Sequence, residues 1–121
     1  MAKTALIVDD SVSMRRMVAF TLRQAGFDVL EGEDGRDALA RMAGRKIEII
    51  VTDLNMPVMD GIAFIRSVRQ LPAFKFTPIL MLTTESQGDK KQEGRAAGAT
   101  GWIVKPFDPQ KLLDTIAKVL L

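Results

Sequence analysis

Charged and hydroxyl side chains follow four of the short apolar stretches in this sequence. In chain order, these are Asp9 and Asp10 after TALIV, Asp53 after IIVT, Thr83 after PILML and Lys105 after GWIV. Carboxylates that lie close together repel one another, and a divalent cation with oxygen ligands offsets that repulsion. A carboxylate surrounded by a metal, a hydroxyl and an ammonium group suits in-line phosphoryl transfer, with aspartate as the nucleophile.

The composition excludes several other chemistries. The chain has 121 residues, of which 47% are hydrophobic, and this suits one packed domain. It contains neither cysteine nor histidine. Disulfides, zinc sites, histidine-based triads and a phosphohistidine within the chain are therefore excluded. Any metal must be held by oxygen atoms, which favours Mg²⁺, Mn²⁺ or Ca²⁺.

Charge and hydropathy restrict the partners. The formal net charge is only +2, and no basic stripe carries interleaved aromatic residues. We therefore expect no nucleic-acid partner. The N-terminal segment MAKTALIVDD has an apolar run that is too short for a signal peptide or a membrane span. We expect a cytoplasmic protein that does not associate with membranes.

Short apolar runs alternate with helical patterns along the chain. The runs predict strands over residues 4–8, 27–30, 47–52, 78–82 and 101–104. Apolar residues at helical spacing predict helices over 12–25, 35–43, 62–71, 87–97 and from 109 to the chain end. Ser11 and Asp34 are suited to cap the first two helices, and Gly26 is suited to end the first.

This alternation indicates a (βα)5 fold of class α/β, doubly wound, with helices on both faces of a five-stranded parallel sheet. Ligands of such sheets bind beyond the carboxyl ends of the strands. In the strand order 2-1-3-4-5 the first and third strands are neighbours, so Asp9, Asp10 and Asp53 converge. The second strand ends in Glu31-Gly32, which we expect at the surface.

Four motifs resemble one family. They are VDDS at 8–11, DLNMPVMDG at 53–61, LTT at 82–84 and KPF at 105–107. In this order and spacing the sequence resembles the receiver domains of two-component response regulators, most closely the stand-alone chemotaxis regulators. The resemblance covers essentially the whole chain. It implies a flavodoxin-like fold and one receiver domain over residues 1–121, without a separate output domain.

The resemblance implies a magnesium site. Asp10 and Asp53 would bind Mg²⁺ directly, together with the backbone carbonyl of Asn55, and Asp9 would assist through water. Mn²⁺ would be a substitute ion. Asp53 would be the phosphoacceptor.

The resemblance also implies a switch. Thr83 and Lys105 would contact the phosphoryl group, and the Lys105-Pro106 peptide would be cis. Thr83 would move toward the phosphoryl group, and Trp102 would swing inward behind it. Trp102 is a departure, because the family usually has Tyr or Phe there. Asn55 and Glu85 occupy positions that tune the phosphate lifetime in the family.

The partners implied by the resemblance are proteins. A histidine kinase would donate the phosphoryl group from phosphohistidine, and a phosphatase could remove it. The face formed by the fourth helix, fifth strand and fifth helix would bind a downstream target, such as a flagellar motor switch protein. Lys90, Lys91 and Arg95 are either a solvated face or a docking patch for an acidic partner. We expect a monomer.

Three alternatives stay open. The chain could be a phosphate sink or an intermediate receiver in a phosphorelay. It could be an Mg²⁺-dependent phosphatase with an aspartyl-phosphate intermediate, although such enzymes usually carry a DxD nucleophile on the first strand. A flavodoxin-like cofactor carrier would need a glycine-rich first loop, which DDSVS does not provide. We expect no enzyme activity beyond assistance with the chain's own phosphorylation and dephosphorylation.

The loop after Asp53 is expected to be mostly architectural. Asp60 would begin the next helix, and Gly61 would supply a positive φ. Met56 and Met59 would either shield the site or pack inward.

Overall fold

Five strands and five helices alternate along the chain. The computed structural model describes residues 2–84 and 88–120. The strands are β1 (Thr4–Val8), β2 (Asp28–Gly32), β3 (Ile49–Asp53), β4 (Ile79–Thr83) and β5 (Gly101–Val104). The helices are α1 (Val12–Gln24), α2 (Gly35–Met42), α3 (Gly61–Arg69), α4 (Gly88–Ala97) and α5 (Pro109–Val119). A short 3₁₀ turn, Pro72–Phe74, precedes β4.

The strands form one parallel sheet in the order β2-β1-β3-β4-β5, which confirms the predicted fold. Val8 lies opposite Thr52 on the neighbouring strand, and Asp53 lies opposite Leu82. The carboxyl ends of β1, β3 and β4 are therefore level. The polar residues that end or follow these strands meet at one edge of the sheet.

Hydrophobic clusters cover both faces of the sheet. Alternate residues of β1 point to opposite sides, so Leu6 and Val8 pack with α2 and α3, whereas Ala5 and Ile7 pack with α1 and α5. β3 and β4 are buried along their whole length. Burial on both faces explains why their sequences are nearly continuous apolar runs.

Side-chain caps fix the beginnings of four helices. Each capping oxygen accepts a hydrogen bond from the backbone N–H three residues further on, at Ser11, Asp34, Asp60 and Asp108. Gly26, with φ +97°, follows the end of α1 as expected. The caps confirm the predicted roles of Ser11, Asp34 and Asp60.

The boundaries of several elements differ from the sequence prediction by one or two residues. β3 begins at Ile49 rather than at residue 47 and includes Asp53, and β4 includes Thr83. Both functional side chains therefore belong to hydrogen-bonded strands rather than to the loops that follow. None of the described helices has the length and hydropathy needed to cross a bilayer.

The surface prediction for Glu31-Gly32 is wrong for Gly32 and holds only in part for Glu31, whose side chain is 28% exposed. Glu31 lies within β2, and its carboxylate pairs with Arg15 at 3.1 Å and with Arg23 at 3.4 Å. Gly32 is buried, and its carbonyl accepts a hydrogen bond from the Asp9 N–H at 3.1 Å. Because two arginines of α1 neutralise the Glu31 carboxylate, β2 can include this acidic residue.

Candidate functional site

Three carboxylates meet where β1 and β3 end. One carboxylate oxygen from each of Asp9, Asp10 and Asp53 lies within 4.8 Å of the others. Asp9 and Asp53 are buried, at 0% and 9% exposure, whereas Asp10 is exposed. The predicted convergence follows directly from the pairing of β1 with β3.

Asp9 has one satisfied and one unsatisfied oxygen. Its Oδ1 accepts a hydrogen bond from the Ser11 N–H at 2.9 Å. Its Oδ2 is buried and has no hydrogen-bond partner in the described part of the chain. Burial, followed by the negative charge of Asp53, raises the pKa of Asp9 from 3.8 to about 6, although the bond from Ser11 lowers it.

A divalent cation fits this cluster. The donor atoms are carboxylate oxygens, which are ligands for Mg²⁺ rather than for a soft metal. The buried Oδ2 of Asp9 has no hydrogen-bond partner among the described residues, and a cation or its bound water would supply one. The residues present therefore suit the magnesium ion that the sequence led us to expect.

Asp53 is held by two donors. Its Oδ1 accepts hydrogen bonds from the Leu54 N–H at 2.9 Å and from the Lys105 ammonium group at 3.1 Å. The side chains of Asp53 and Lys105 are 12% and 22% exposed. The backbone carbonyl of Asp53 also accepts a hydrogen bond from the Thr52 hydroxyl at 2.9 Å. These contacts hold the Asp53 carboxylate in place.

Thr83 ends the neighbouring strand and is fully buried. Its hydroxyl oxygen has no hydrogen-bond partner among the described residues. Its carbonyl accepts from the Lys105 N–H at 2.6 Å, which ties the ends of β4 and β5 together. The Lys105-Pro106 peptide is cis, as the resemblance implied. Thr83 thus offers a free hydroxyl at the edge where Lys105 reaches Asp53.

In the loop from Asn55 to Met59, some side chains are exposed to solvent and others pack against the core. Asn55 is exposed two residues after Asp53. Met56 and Met59 are partly buried and pack against the core on the α2–α4 side of the sheet. Met59 approaches the start of α2 so closely that a Cβ at Gly35 would lie 2.8 Å from its sulfur. Both methionines therefore extend the core.

The conformational prediction for Gly61 is wrong. Gly61 is not among the glycines with positive φ. It is needed for another reason, because a Cβ there would lie 2.3 Å from the carbonyl oxygen of Asp53. Its N–H donates to the Leu54 carbonyl at 2.8 Å. Gly61 thus allows α3 to begin in direct contact with the backbone of the candidate phosphoacceptor.

The positive φ of this loop occurs at Val58, with φ 70°. The Met59 N–H donates to the Pro57 carbonyl at 2.7 Å, so Val58 is the central residue of a γ-turn. This conformation is strained for a β-branched residue, and Val58 is also 73% exposed. Nothing in the sequence indicated strain here, because valine is a typical strand residue.

Trp102 lies on β5 opposite Met81 and is partly buried. The Lys91 ammonium nitrogen and the Arg95 guanidinium carbon lie 5.8 and 5.3 Å from the centre of its ring. Lys90 instead pairs with Glu93 at 3.4 Å. The cation–π stacking was missed at the sequence level, where these cations could be assigned only to solvent or to a partner. Glu85 lies outside the described residues.

The sequence matches the family described as "Response regulator receiver domain" over residues 5–117. It is 42% identical to a chemotaxis protein CheY of Pseudomonas aeruginosa over 94% of this chain and 93% of that protein. It is 37% identical to the phosphate regulon transcriptional regulatory protein PhoB of the same organism, over 98% of this chain but 52% of PhoB.

The fold also matches that of a solved structure. The chemotaxis response regulator CheY4 of Vibrio cholerae superimposes with a TM-score of 0.94 and 52% sequence identity, over 99% of this chain and 100% of that one. The similarity thus extends to nearly the full length of both CheY chains, and to about half of PhoB.

Proposed function

The chain belongs to the family of response regulator receiver domains, and we propose that it is a single-domain chemotaxis regulator, switched by phosphorylation of Asp53. The proposal rests on the position of the Asp53 carboxylate, which lies between the two acids that follow β1 and the Lys105 ammonium group. Near-complete coverage of two CheY chains, against about half of PhoB, supports a role like that of the chemotaxis regulators.

The proposed reaction is transfer of a phosphoryl group from phosphohistidine of a histidine kinase. A carboxylate oxygen of Asp53 attacks phosphorus, the new O–P bond forms as the P–N bond breaks, and the imidazole leaves with a proton from solvent. The hydrogen bonds from Leu54 and Lys105 hold the carboxylate in position. This chain needs no histidine of its own for that step.

Asp9, Asp10 and Asp53 would hold Mg²⁺, with the Asn55 backbone as a further candidate ligand. The ion would offset the negative charge of the three carboxylates and of the phosphoryl oxygens. Lys105 would neutralise one phosphoryl oxygen. The buried Thr83 hydroxyl, which lacks a partner among the described residues, would donate a hydrogen bond to another.

The output of the switch would be a protein-binding surface. Thr83 and Trp102 lie on the adjacent strands β4 and β5, so a movement of Thr83 toward phosphate could reach Trp102. Lys91 and Arg95 beside the indole ring would favour an acidic partner, such as a motor switch protein. A phosphate sink would use the same chemistry without this partner, and a binding assay with the phosphorylated chain distinguishes the two.

The test is labelling with acetyl phosphate and Mg²⁺, followed by intact mass measurement. We expect one phosphoryl group on the wild-type chain and on Asp114→Asn, which removes an exposed carboxylate of α5. We expect none on Asp53→Asn. Equal labelling of Asp53→Asn would refute the assignment. Catalytic turnover of a small phosphate ester in excess over protein would instead support the phosphatase alternative.

A further inference from the structure

An exposed apolar segment lies on the side of the molecule away from Asp53. The sequence LPAFKF, residues 71–76, follows α3. The 3₁₀ turn directs Phe74 into the core, where it is 6% exposed, and leaves Phe76 87% exposed. Leu71 is also 37% exposed. Phe74 is therefore part of the core, whereas Phe76 remains largely exposed to solvent.

Two cavities of about 400 Å³ flank this segment and share Pro72 and Ala73 as lining residues. The first lies between α2 and α3 and is lined mainly by apolar side chains, including Leu39 and Leu71. The second lies beside Phe76 and extends to the last turn of α5. The two cavities adjoin at Pro72 and Ala73, and we refer to the pair as the groove.

The groove has a basic border. Lys3 and Lys75 line the second cavity, and Lys46 lines an adjoining depression. No carboxylate of a described residue lies within 4.0 Å of these three ammonium groups. Lys75 instead lies over the Phe76 ring, at 5.7 Å from its centre. We call the groove and these lysines the basal surface.

Two acids also lie at the basal surface and offset part of the charge of its three lysines. Glu48 lines the second cavity, but its carboxylate accepts a hydrogen bond from the Thr4 N–H and is directed toward β1. Asp28 lies at the outer edge, beside Lys46. Lys3, Lys46 and Lys75 thus exceed Glu48 and Asp28 by one, and none of the three is ion-paired with a described carboxylate. This excess beside the exposed Phe76 ring is complementary to acidic groups next to an apolar side chain.

We propose that the basal surface docks an acidic peptide segment of another protein that inserts an apolar side chain beside Phe76. The surface lies at the amino ends of the strands, and Asp53 lies at the carboxyl end of β3. The length of a five-residue strand, roughly 15 Å, separates the two ends. The basal surface is therefore separate from the α4–β5 surface. It binds the partner whether or not Asp53 carries phosphate.

The experiment uses the full chain, labelled with ¹⁵N, and a short peptide of glutamate and aspartate around a central Leu-Phe pair. We expect saturable amide shifts over residues 71–77, with the same affinity before and after addition of Mg²⁺ and acetyl phosphate. Phe76→Ser should weaken binding about tenfold or more, because burial of a phenyl ring is lost. Phe20→Ser is the matched control, since Phe20 is 64% exposed on α1.

A second pair of variants tests the charge. Lys75→Glu should weaken binding, whereas Lys111→Glu, an exposed lysine of α5, should not. The same peptide with Gln and Asn in place of its acids should bind more weakly than the acidic form.

Four results would overturn the proposal. They are no saturable shift, shifts confined to α4 and β5, equal binding of the neutral peptide, and equal loss with Phe20→Ser. Phe76-dependent self-association of the chain, or Phe76-dependent binding to vesicles of an anionic phospholipid without peptide binding, would assign the surface to a different occupant. None of these results depends on whether Asp53 accepts phosphate, so the two proposals fail independently.

Discussion

Asp9→Asn should stabilise the folded chain when no divalent cation is present. The wild-type carboxylate is buried next to Asp53, and its Oδ2 has no hydrogen-bond partner among the described residues. Asparagine has nearly the same shape. Its Oδ1 can still accept from the Ser11 N–H, and its amide group can donate to a neighbouring carboxylate. The substitution thus removes a buried charge and keeps the local hydrogen bond.

The magnitude follows from the raised pKa of Asp9, about 6 in the folded chain against 3.8. A carboxyl group whose pKa is higher in the folded state binds its proton more tightly there than in the unfolded state. The folded chain therefore loses stability as the pH rises and this proton is released. Its stabilising contribution is complete below about pH 4 and is lost as the pH rises through about 6. The loss amounts to about 3 kcal/mol at neutral pH, which is the upper limit for Asp9→Asn.

The assay is urea unfolding followed by Trp102 fluorescence in a chelating buffer, at neutral pH and near pH 4. Asp9→Asn should raise the free energy of unfolding at neutral pH by up to about 3 kcal/mol. The difference in this free energy between Asp9→Asn and the wild-type chain should shrink near pH 4. Asp10→Asn is the control, because it removes a charge from the same cluster at an exposed position. An unchanged or reduced stability of Asp9→Asn at neutral pH would refute the reasoning.

Three further substitutions probe other features. Val58→Asn should raise the free energy of unfolding by ~1 kcal/mol, because asparagine tolerates positive φ better than valine does; no gain in chemical unfolding would refute the strain. Gly61→Ala should destabilise the chain by ~1–3 kcal/mol and slow acetyl phosphate labelling, because the Cβ displaces the Asp53 carbonyl; wild-type labelling would contradict this. Arg95→Ala should shift the Trp102 emission and weaken stability by less than ~1 kcal/mol, and an unchanged spectrum would argue against the stacking.

Periodicity predicted the alternating strands and helices of the fold, whereas the strand order 2-1-3-4-5 did not follow from it. Buried parallel strands are apolar on both faces, so β1, β3 and β4 stood out as nearly continuous apolar runs. The acid cluster followed from the residues after those runs, once β1 and β3 were placed side by side. Both inferences depend on the local sequence and on one topological rule.

Features that depend on distant contacts were not predictable. Glu31 enters a strand because two arginines, 16 and 8 residues earlier in the chain, neutralise it. Gly61 is required by the position of the Asp53 carbonyl, and no local pattern encodes that distance. Val58 adopts a conformation that its residue type disfavours, because the loop on either side of it fixes the γ-turn. For Glu31 and Gly61 tertiary contacts outweigh local preference, and for Val58 the local γ-turn does.

The central claim is that Asp53 and the Trp102 surface are parts of one phosphorylation switch. Trp102 is the only tryptophan in the sequence, so any change in tryptophan emission arises from this position, and we expect it to respond to metal binding and to phosphorylation. Titration with Mg²⁺ should change the emission, and acetyl phosphate should then produce a second change in the wild-type chain but not in Asp53→Asn. A flat response to both additions, or an equal response of Asp53→Asn to acetyl phosphate, would contradict the account.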